Sequence, residues 1–544
     1  MSMITASLWV PRGAAAAFPE KYDVDEDELA RISKLAKLQL EDAKEDLSDA
    51  RNGRRGETET EDSDADEGGV KTQQSQVDTD DDLKEYDLEH YDSDTEVRDG
   101  ETMAMFGNAR SLAYHESNAD DPYITMQEND DEDEEREDLQ ILATDNMMVA
   151  AKVEDEVAHL EIYVYEDEAD NLYVHHDIML PAIPLCVEWL DLPVGKDPNI
   201  VDPDSRGNYV AVGTFDPDIE IWDLDTIDCM YPNAILGQET QEAKADPGQD
   251  LKKKKRKKHK KANDNYHVDA VLSLAANRQH RNLLASSSAD KTVKLWDLNT
   301  TKCAKSYSHH IDKVCSIAWH PQESTVLLSG SYDRTVVAGD MRAPDAKVPR
   351  WAVESDVETV MWDPHNLNHF YVTTENGIIH LYDTRNAPSK PEASKAIWQL
   401  QAHDESISSF DVNPVIPGFL ATGSTDKTIK LWNVQPTGPS MVVSRNPDVG
   451  RVFSTKFAPD PEVAFRLAVA GSKGAMQVWD TSTNAAVRRA FASRMAPSSG
   501  DAKEERVVGV DEDSSDSEEE GGNEPGGADA MPENGWESMD DDLP

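Results

Sequence analysis

The stretch Leu283-Leu284-Ala285-Ser286-Ser287-Ser288-Ala289-Asp290-Lys291-Thr292-Val293-Lys294-Leu295-Trp296-Asp297 decides how the rest of the chain is read. A short apolar run, a Ser-Ala-Asp turn and a β-branched run ending in Trp-Asp make two strands joined by a tight turn. Residues 419–433 repeat the pattern, from Phe419-Leu420-Ala421-Thr422 through Ser424-Thr425-Asp426 to Leu431-Trp432-Asn433. Ile221-Trp222-Asp223 and Val478-Trp479-Asp480 end in the same way. Leu381-Tyr382-Asp383 and Ala338-Gly339-Asp340 are weaker copies. Between successive tryptophan positions, from Trp222 to Trp479, the steps are 74, 43, 43, 50 and 47 residues. A beat of about 40–45 residues marks a repeated four-stranded unit.

Three further markers keep the beat. An aromatic residue, one residue and a proline close an earlier strand at Trp319-His320-Pro321, Trp362-Asp363-Pro364 and Phe457-Ala458-Pro459, with a looser copy from Phe410 to Pro414. Proline sits there because no ladder donor is needed where a strand ends. A small or hydroxyl residue with Asp precedes the Trp strand, as in Ser331-Tyr332-Asp333, and a histidine precedes the first strand at His267, His310 and His403. In this order the markers resemble the WD repeat. That resemblance implies a buried hydrogen-bonded set in each blade: His267, Ser286, Asp290 and Trp296 in one, His403, Thr422, Asp426 and Trp432 in another. His310, Ser329 and Asp333 match too, but Gly339 stands where the tryptophan belongs, so that set is expected not to close and its blade to be looser. The recurrence of one His–Asp pair in several blades argues against a catalytic dyad, which needs a single convergent pocket.

The expected fold is all-β: a seven-bladed WD-repeat β-propeller over residues 141–495. Six blades carry the Trp-Asp marker. A seventh fits upstream, with strands at Met147–Val153, Ala158–Tyr165 and Leu172–His176 and Tyr165 at the tryptophan position. The last blade is expected from Arg451–Ala458, Arg466–Gly471, Gly474–Asp480 and Ala485–Phe491. Residues 1–12 contain the strand-like Ile4, Leu8, Trp9 and Val10, expected to pair with the outer edge of the last blade and hide its unpaired amides.

Outside the repeats the composition changes. The chain has 544 residues and a formal charge of −55. Residues 1–140 hold 42 acidic and 14 basic side chains, residues 501–544 hold 17 and 2, and the middle carries a net of only −12. Residues 19–140 and 496–544 are too poor in apolar side chains to offset their ordering entropy, so both are expected to be largely disordered. A short amphipathic helix is expected within 25–47, where Leu29, Ile32, Leu35 and Leu38 recur at helical spacing. Two aromatic islands, Tyr86–Tyr91 and Pro122–Met126, interrupt the acid and suit docking, including on the protein's own body. Ser63, Ser93, Thr95, Ser514, Ser515 and Ser517 precede acidic residues and suit an acidophilic kinase, each phosphate adding about −1.5 to −2 charge.

Several classes are disfavoured. The acidic balance argues against a surface that grips nucleic acid throughout. No apolar stretch approaches the 18 or so residues of a membrane helix, and Met1 to Val10 lacks the basic start of a secretory signal. Cys186, Cys229, Cys303 and Cys315 form no CxxC pair, which fits a reducing compartment. No phosphate-binding glycine loop, HExxH or nucleophile elbow is present. No enzyme activity, cofactor, metal or small-molecule substrate is expected.

One segment is strongly basic. Lys252, Lys253, Lys254, Lys255, Arg256, Lys257, Lys258, Lys260 and Lys261 put nine cations in ten positions, inside an insertion over 237–265. Such density reads as a nuclear or nucleolar address that also suits contact with RNA phosphates. Without aromatic interleaving, sequence-specific RNA readout is not indicated.

Beyond the repeats, the chain resembles the periodic tryptophan protein 1 family. The strings that carry the resemblance are Trp9-Val10, Glu85-Tyr86-Asp87-Leu88, Asp121-Pro122-Tyr123-Ile124-Thr125, Tyr173-Val174-His175-His176-Asp177-Ile178, Val187-Glu188-Trp189-Leu190 and Ile221-Trp222-Asp223-Leu224-Asp225, followed by the Lys-rich loop. The resemblance implies a scaffold of the nucleus and nucleolus that serves pre-rRNA processing and large-subunit assembly. The partners implied are pre-ribosomal particle proteins and other basic proteins, histones among them, with rRNA contact at the basic loop. Two other readings stay open: a chromatin or histone binder at ribosomal DNA, and a substrate receptor of a cullin ubiquitin ligase. The latter rests on Tyr382-Asp383-Thr384-Arg385 and Gly339-Asp340-Met341-Arg342, which partly match a Trp-Asp-x-Arg signature.

Overall fold

In a computed structural model, residues 2–22, 139–194, 206–237, 263–343, 347–491 and 506–510 are described, with a few isolated residues between them. The chain opens with β1 (Ser2–Trp9) and the two-residue β2 (Glu20–Lys21). Blade 1 joins β1 to β3 (Asn146–Glu154), β4 (Val157–Glu166) and β5 (Asn171–Leu180). Blade 2 holds β6 (Pro184–Leu190), β7 (Tyr209–Thr214) and β8 (Ile219–Asp223); after the short β9 (Thr226–Ile227) it ends with β10 (Ala234–Leu236). Blade 3 holds β11 (Val271–Ala276), β12 (Leu283–Ser288), β13 (Val293–Asp297) and β14 (Lys302–Tyr307). Blade 4 holds β15 (Val314–Trp319), β16 (Val326–Ser331), β17 (Thr335–Asp340) and β18 (Arg350–Ala352). Blade 5 holds β19 (Val357–Trp362), β20 (His369–Thr374), β21 (Ile378–Asp383) and β22 (Trp398–Gln401). Blade 6 holds β23 (Ser409–Val412), β24 (Phe419–Gly423), β25 (Ile429–Gln435) and β26 (Gly438–Arg445). Blade 7 holds β27 (Val452–Phe457), β28 (Arg466–Gly471), β29 (Met476–Asp480) and β30 (Arg506–Gly509).

The strands β1, β6, β11, β15, β19, β23 and β27 pack each on the next, and β27 packs on β1, so seven inner strands close a ring. Six of them carry a register shift near their start, the bulge that bends and twists a strand. The core lies between neighbouring blades. Trp222 and Trp296 on third strands are 1% exposed. Burying an indole takes roughly 150–250 Å² out of water, worth about 4–6 kcal/mol at 25 cal/mol per Å².

The N-terminal strand departs from expectation. It is the innermost strand of blade 1, not an outer strand of the last blade: Trp9 pairs with Met148 and Met3 with Val153. Its side chains explain the choice. Ile4 is fully buried, and the Trp9 indole stands edge-on to Tyr165 with centroids 6.3 Å apart. The Trp9 Nε1–H donates to the Lys456 carbonyl at 2.9 Å. Trp319 and Trp362 donate in the same way to Ala275 O (3.0 Å) and Ala318 O (3.1 Å), each on the preceding blade's inner strand. An outer edge strand could not give its tryptophan that carbonyl.

Blade 7 departs too. Ala485–Phe491 is a helix, α1, rather than a strand. Asn484 caps it, its side-chain oxygen accepting from the amides of Ala486 (2.8 Å) and Val487 (3.3 Å), and Val487 and Phe491 are fully buried. The fourth strand is β30, inside the tail expected to be disordered, where Arg506-Val507-Val508 is a short β run; it pairs with β29 from Asp480↔Arg506 to Gln477↔Gly509. The helix expected in 25–47 and the remainder of the acidic segments lie outside the described residues.

Candidate functional site

Each inner strand runs from one face of the ring to the other, so strand order assigns every loop. Loops that enter an inner strand, and second-to-third hairpins, lie on the face of His267, His310 and His403. First-to-second loops and third-to-fourth loops lie on the face of the aromatic-x-Pro ends.

On the histidine face the three sets assemble within their blades. His267 Nδ1 lies 2.9 Å from Asp290 Oδ2, and its Nε2 lies 2.7 Å from Ser286 Oγ, which accepts the Trp296 Nε1–H at 2.8 Å. With the carboxylate accepting from Nδ1–H, Nε2 must accept the serine proton, so every donor has one acceptor. Burial would raise the Asp290 carboxyl, but His267 and Thr292 outweigh it and hold it at about 2. Burial also depresses His267 against the pull of Asp290. His403 repeats the set with Asp426 (2.8 Å), Thr422 (2.8 Å) and, through Thr422, Trp432 (3.0 Å). Ser286 and Thr422 are fully buried, so neither hydroxyl meets a substrate; the sets hold the blades together.

Blade 4 holds three members of the set, and among the described hydrogen bonds no indole donates to Ser329 Oγ. His310 still meets Asp333 (3.0 Å) and Ser329 (2.9 Å). A Cβ at Gly339 would lie 3.0 Å from Met341, 3.8 Å from Val348 and 3.9 Å from His309. Trp351 of β18, 1% exposed, packs edge-on to Phe370 at 5.0 Å.

Blade 2 has a different buried polar pair. The Trp222 Nε1–H donates to Glu220 Oε2 at 3.1 Å, and burial, with Asp218 and Asp216 nearby, pushes that carboxyl up to about 7. Farther round the histidine face, burial first and then Glu375 and Asp356 raise the Glu358 carboxyl, which accepts from Ser406 Oγ at 3.2 Å. Asp356 in turn accepts from Arg334 Nε at 3.1 Å.

On the proline face the channel opens into a cavity of about 360 Å³. Its wall is aromatic and proline-rich, with Trp9, Trp362, Phe457, Pro364, Pro414 and Pro459. Three charges complete it. Glu188 accepts from Arg278 Nη2 at 2.7 Å, and Asp411 accepts the Phe457 amide at 2.8 Å with Lys456 Nζ 3.9 Å away. Burial pushes the Asp411 carboxyl up, against Lys456 and the backbone amides. Sequence reasoning missed this mouth, although Trp9-Val10-Pro11 is a further copy of its own aromatic-x-Pro marker.

The nine cations of 252–261 lie outside the described residues, as do Ser63, Ser93, Thr95, Ser514, Ser515 and Ser517. The described ends of the basic insertion, Gly237 after β10 and Asn263 before β11, put it on a connection between blades that enters an inner strand, on the histidine face. Arg342 and Arg385, from the ubiquitin-ligase reading, fold back on their own aspartates, Asp340 (2.8 Å) and Asp383 (2.7 Å).

Blades 7 and 1 are joined by a buried ion network. Arg466 reaches Asp167 and Asp480, both at 2.6 Å, and Arg506 of β30 meets Asp167 and Asp170. Ser7 Oγ donates to Ser454 Oγ at 2.8 Å across the same seam.

The WD domain, G-beta repeat family matches residues 262–297, 301–337 and 394–433. An uncharacterized WD repeat-containing protein of Schizosaccharomyces pombe is 52% identical over 95% of this chain and 96% of its own length. Periodic tryptophan protein 1 of Saccharomyces cerevisiae is 40% identical, with 92% of each chain covered. The periodic tryptophan protein 1 homolog of Drosophila melanogaster is 30% identical over 90% of this chain and 96% of its own.

Proposed function

The chain belongs to the periodic tryptophan protein 1 family of WD-repeat proteins, and from that premise we propose that it acts as a non-catalytic scaffold of the nucleus and nucleolus in ribosome production. The observation that carries this reading is the end-to-end match to a curated periodic tryptophan protein 1, covering 92% of both chains. Its task is pre-rRNA processing and large-subunit assembly. The acidic arms bind basic proteins of the pre-ribosomal particle, and residues 252–261 serve as the address and as a contact for rRNA phosphates. Binding to basic partners through the arms is salt-sensitive, because exposed charges are screened within about 10 Å at 0.1 M salt. Residues Ser63, Ser93, Thr95, Ser514, Ser515 and Ser517 are phosphorylation sites that deepen the arms' charge.

The test is affinity purification of the full chain with mass spectrometry, alongside RNA crosslinking and sequencing. Pre-ribosomal proteins and pre-rRNA crosslinks that fall when residues 252–261 are neutralised support the reading. Nucleosomes without pre-ribosomal proteins would replace it with the chromatin reading; a cullin complex would replace it with the ubiquitin-ligase reading.

A further inference from the structure

We propose that the channel mouth on the proline face is occupied by residues 122–126 of the same chain, Pro122-Tyr123-Ile124-Thr125-Met126. This contact is independent of the ribosomal reading. The mouth is lined by the exposed edges of two tryptophans and a phenylalanine, each under 10% exposed, and by three prolines, around about 360 Å³. Such a surface selects an aromatic or branched apolar side chain on an extended backbone.

The chain's own path leads there. The Glu20 amide donates to Asp225 O at 2.8 Å and the Tyr22 amide to Ile227 O at 2.9 Å, which anchors the departing end beside β9, on a third-to-fourth connection of blade 2. The returning end is held where the Ile141 amide donates to Ala17 O at 3.0 Å, just before β3 starts from the proline face. Residues 23–138 therefore leave and rejoin the body on the face that carries the mouth. From the outer to the inner strand of a blade is three strand spacings, about 15 Å. The 13 residues from Met126 to Leu139 span up to about 43–47 Å when extended. The tether reaches with slack.

Composition selects this island over the other. Glu188 and Asp411 already place two carboxylates in the mouth, and Asp411 is raised by burial. Tyr86-Asp87-Leu88-Glu89-His90-Tyr91 would bring two more, whereas residues 122–126 are five uncharged residues in a row. The flanking Asp120, Asp121 and Glu128 would then lie outside the mouth, whose nearby cations Arg12, Arg278 and Lys456 are already matched by Glu462 (2.6 Å), Glu188 (2.7 Å) and Asp411 (3.9 Å). Tether length favours it as well. Effective concentration falls roughly as the −3/2 power of length, so a 13-residue tether beats the 48 residues from Tyr91 to Leu139 about sevenfold.

The test uses the full-length chain with Tyr123→p-benzoylphenylalanine, illuminated and mapped by mass spectrometry. Crosslinks within one chain to the peptides around Trp362–Pro364, Val412–Pro414 and Phe457–Pro459 are expected. Adding Ile124→Asp, outside the propeller and so unable to unfold it, should cut their yield about tenfold. The same probe at Tyr86 should crosslink there at least severalfold less. Crosslinks elsewhere, yields indifferent to Ile124→Asp, or no crosslinks would overturn the proposal. Crosslinks between heavy- and light-labelled chains would overturn it in favour of a second copy.

Discussion

Replacing Trp9 by alanine should lower the melting temperature of the full chain by about 6–8 °C. The indole is 7% exposed, meets Tyr165 at 6.3 Å and donates to Lys456 O at 2.9 Å. Losing a buried tryptophan costs about 3–5 kcal/mol, and orphaning the Lys456 carbonyl adds about 1 kcal/mol. The described body has about 340 residues; at about 2.1 cal/mol/K per residue its unfolding entropy is about 0.7 kcal/mol/K, which converts about 5 kcal/mol into about 7 °C. Trp9→Phe keeps most of the apolar contact and should cost about 2 °C. The readout is far-UV circular dichroism during heating, with hydrogen exchange to locate the damage. Because β1 packs on both β6 and β27, the alanine variant should speed amide exchange in those two strands before it does so in β15 or β19. An alanine shift below about 1 °C, or faster exchange confined to β30 at the outer edge of blade 7, would refute the innermost placement of β1.

Three further outcomes follow from named groups. Glu220 has a folded pKa near 7 against an ordinary 4.5, so the unfolded chain ionises first and stability is lost as pH rises through about 4.5 to 7. Glu220→Gln, which can still accept from Trp222, should therefore gain about 3 kcal/mol over the parent at pH 8 and little at pH 4.5; melts showing one constant gap would contradict this. Asp290 is the opposite case, held at about 2 against 3.8, so its contribution is complete above about pH 4 and lost as pH falls through about 2. Urea midpoints should show Asp290→Asn destabilised by about 2 kcal/mol at pH 7, the gap closing toward pH 2. Truncation after residue 510 should leave the melt within about 1 °C of the parent, while truncation after residue 500, which removes β30 and its Arg506 contacts to Asp167 and Asp170, should lower it by several degrees; equal melts would mean that β30 does not complete blade 7.

The clearest repeats, blades 3 and 6, were legible because each satisfies one local rule set within about 40 residues. The Trp-Asp ending, the aspartate turn and the histidine are all tied by hydrogen bonds inside a single sheet. What escaped the sequence reading was tied over long separations. Trp9 finds its acceptor 447 positions away at Lys456, and nothing local to residues 2–9 distinguishes an inner strand from an outer one. The clue was Pro11, which makes Trp9-Val10-Pro11 a copy of Trp362-Asp363-Pro364. The misreading of Ala485–Phe491 had a different origin: a run as short as Ala-Ala-Val-Arg-Arg-Ala-Phe is ambiguous between helix and strand, and the deciding feature was Asn484 as a cap. In blade 4 the residues around the missing indole, Met341 and Val348, belong to no repeat marker.

The candidate site follows the same division. The buried sets could be read residue by residue because they belong to the repeat, and for that reason they describe how blades 3, 4 and 6 are built rather than what this ring binds. The channel mouth draws its wall from blades 1, 2, 5, 6 and 7, which no single stretch of sequence brings together. Its distinctive features are those that differ among blades: Trp9 from the chain's first strand, Glu188 held by Arg278, and Asp411 buried beside Lys456. The same topology separates the chain's charge. The segment that holds most of the N-terminal acid leaves and rejoins the body on the proline face, whereas Gly237 and Asn263 present the basic insertion on the histidine face. The anchors of the two charged segments thus sit on opposite faces of the ring.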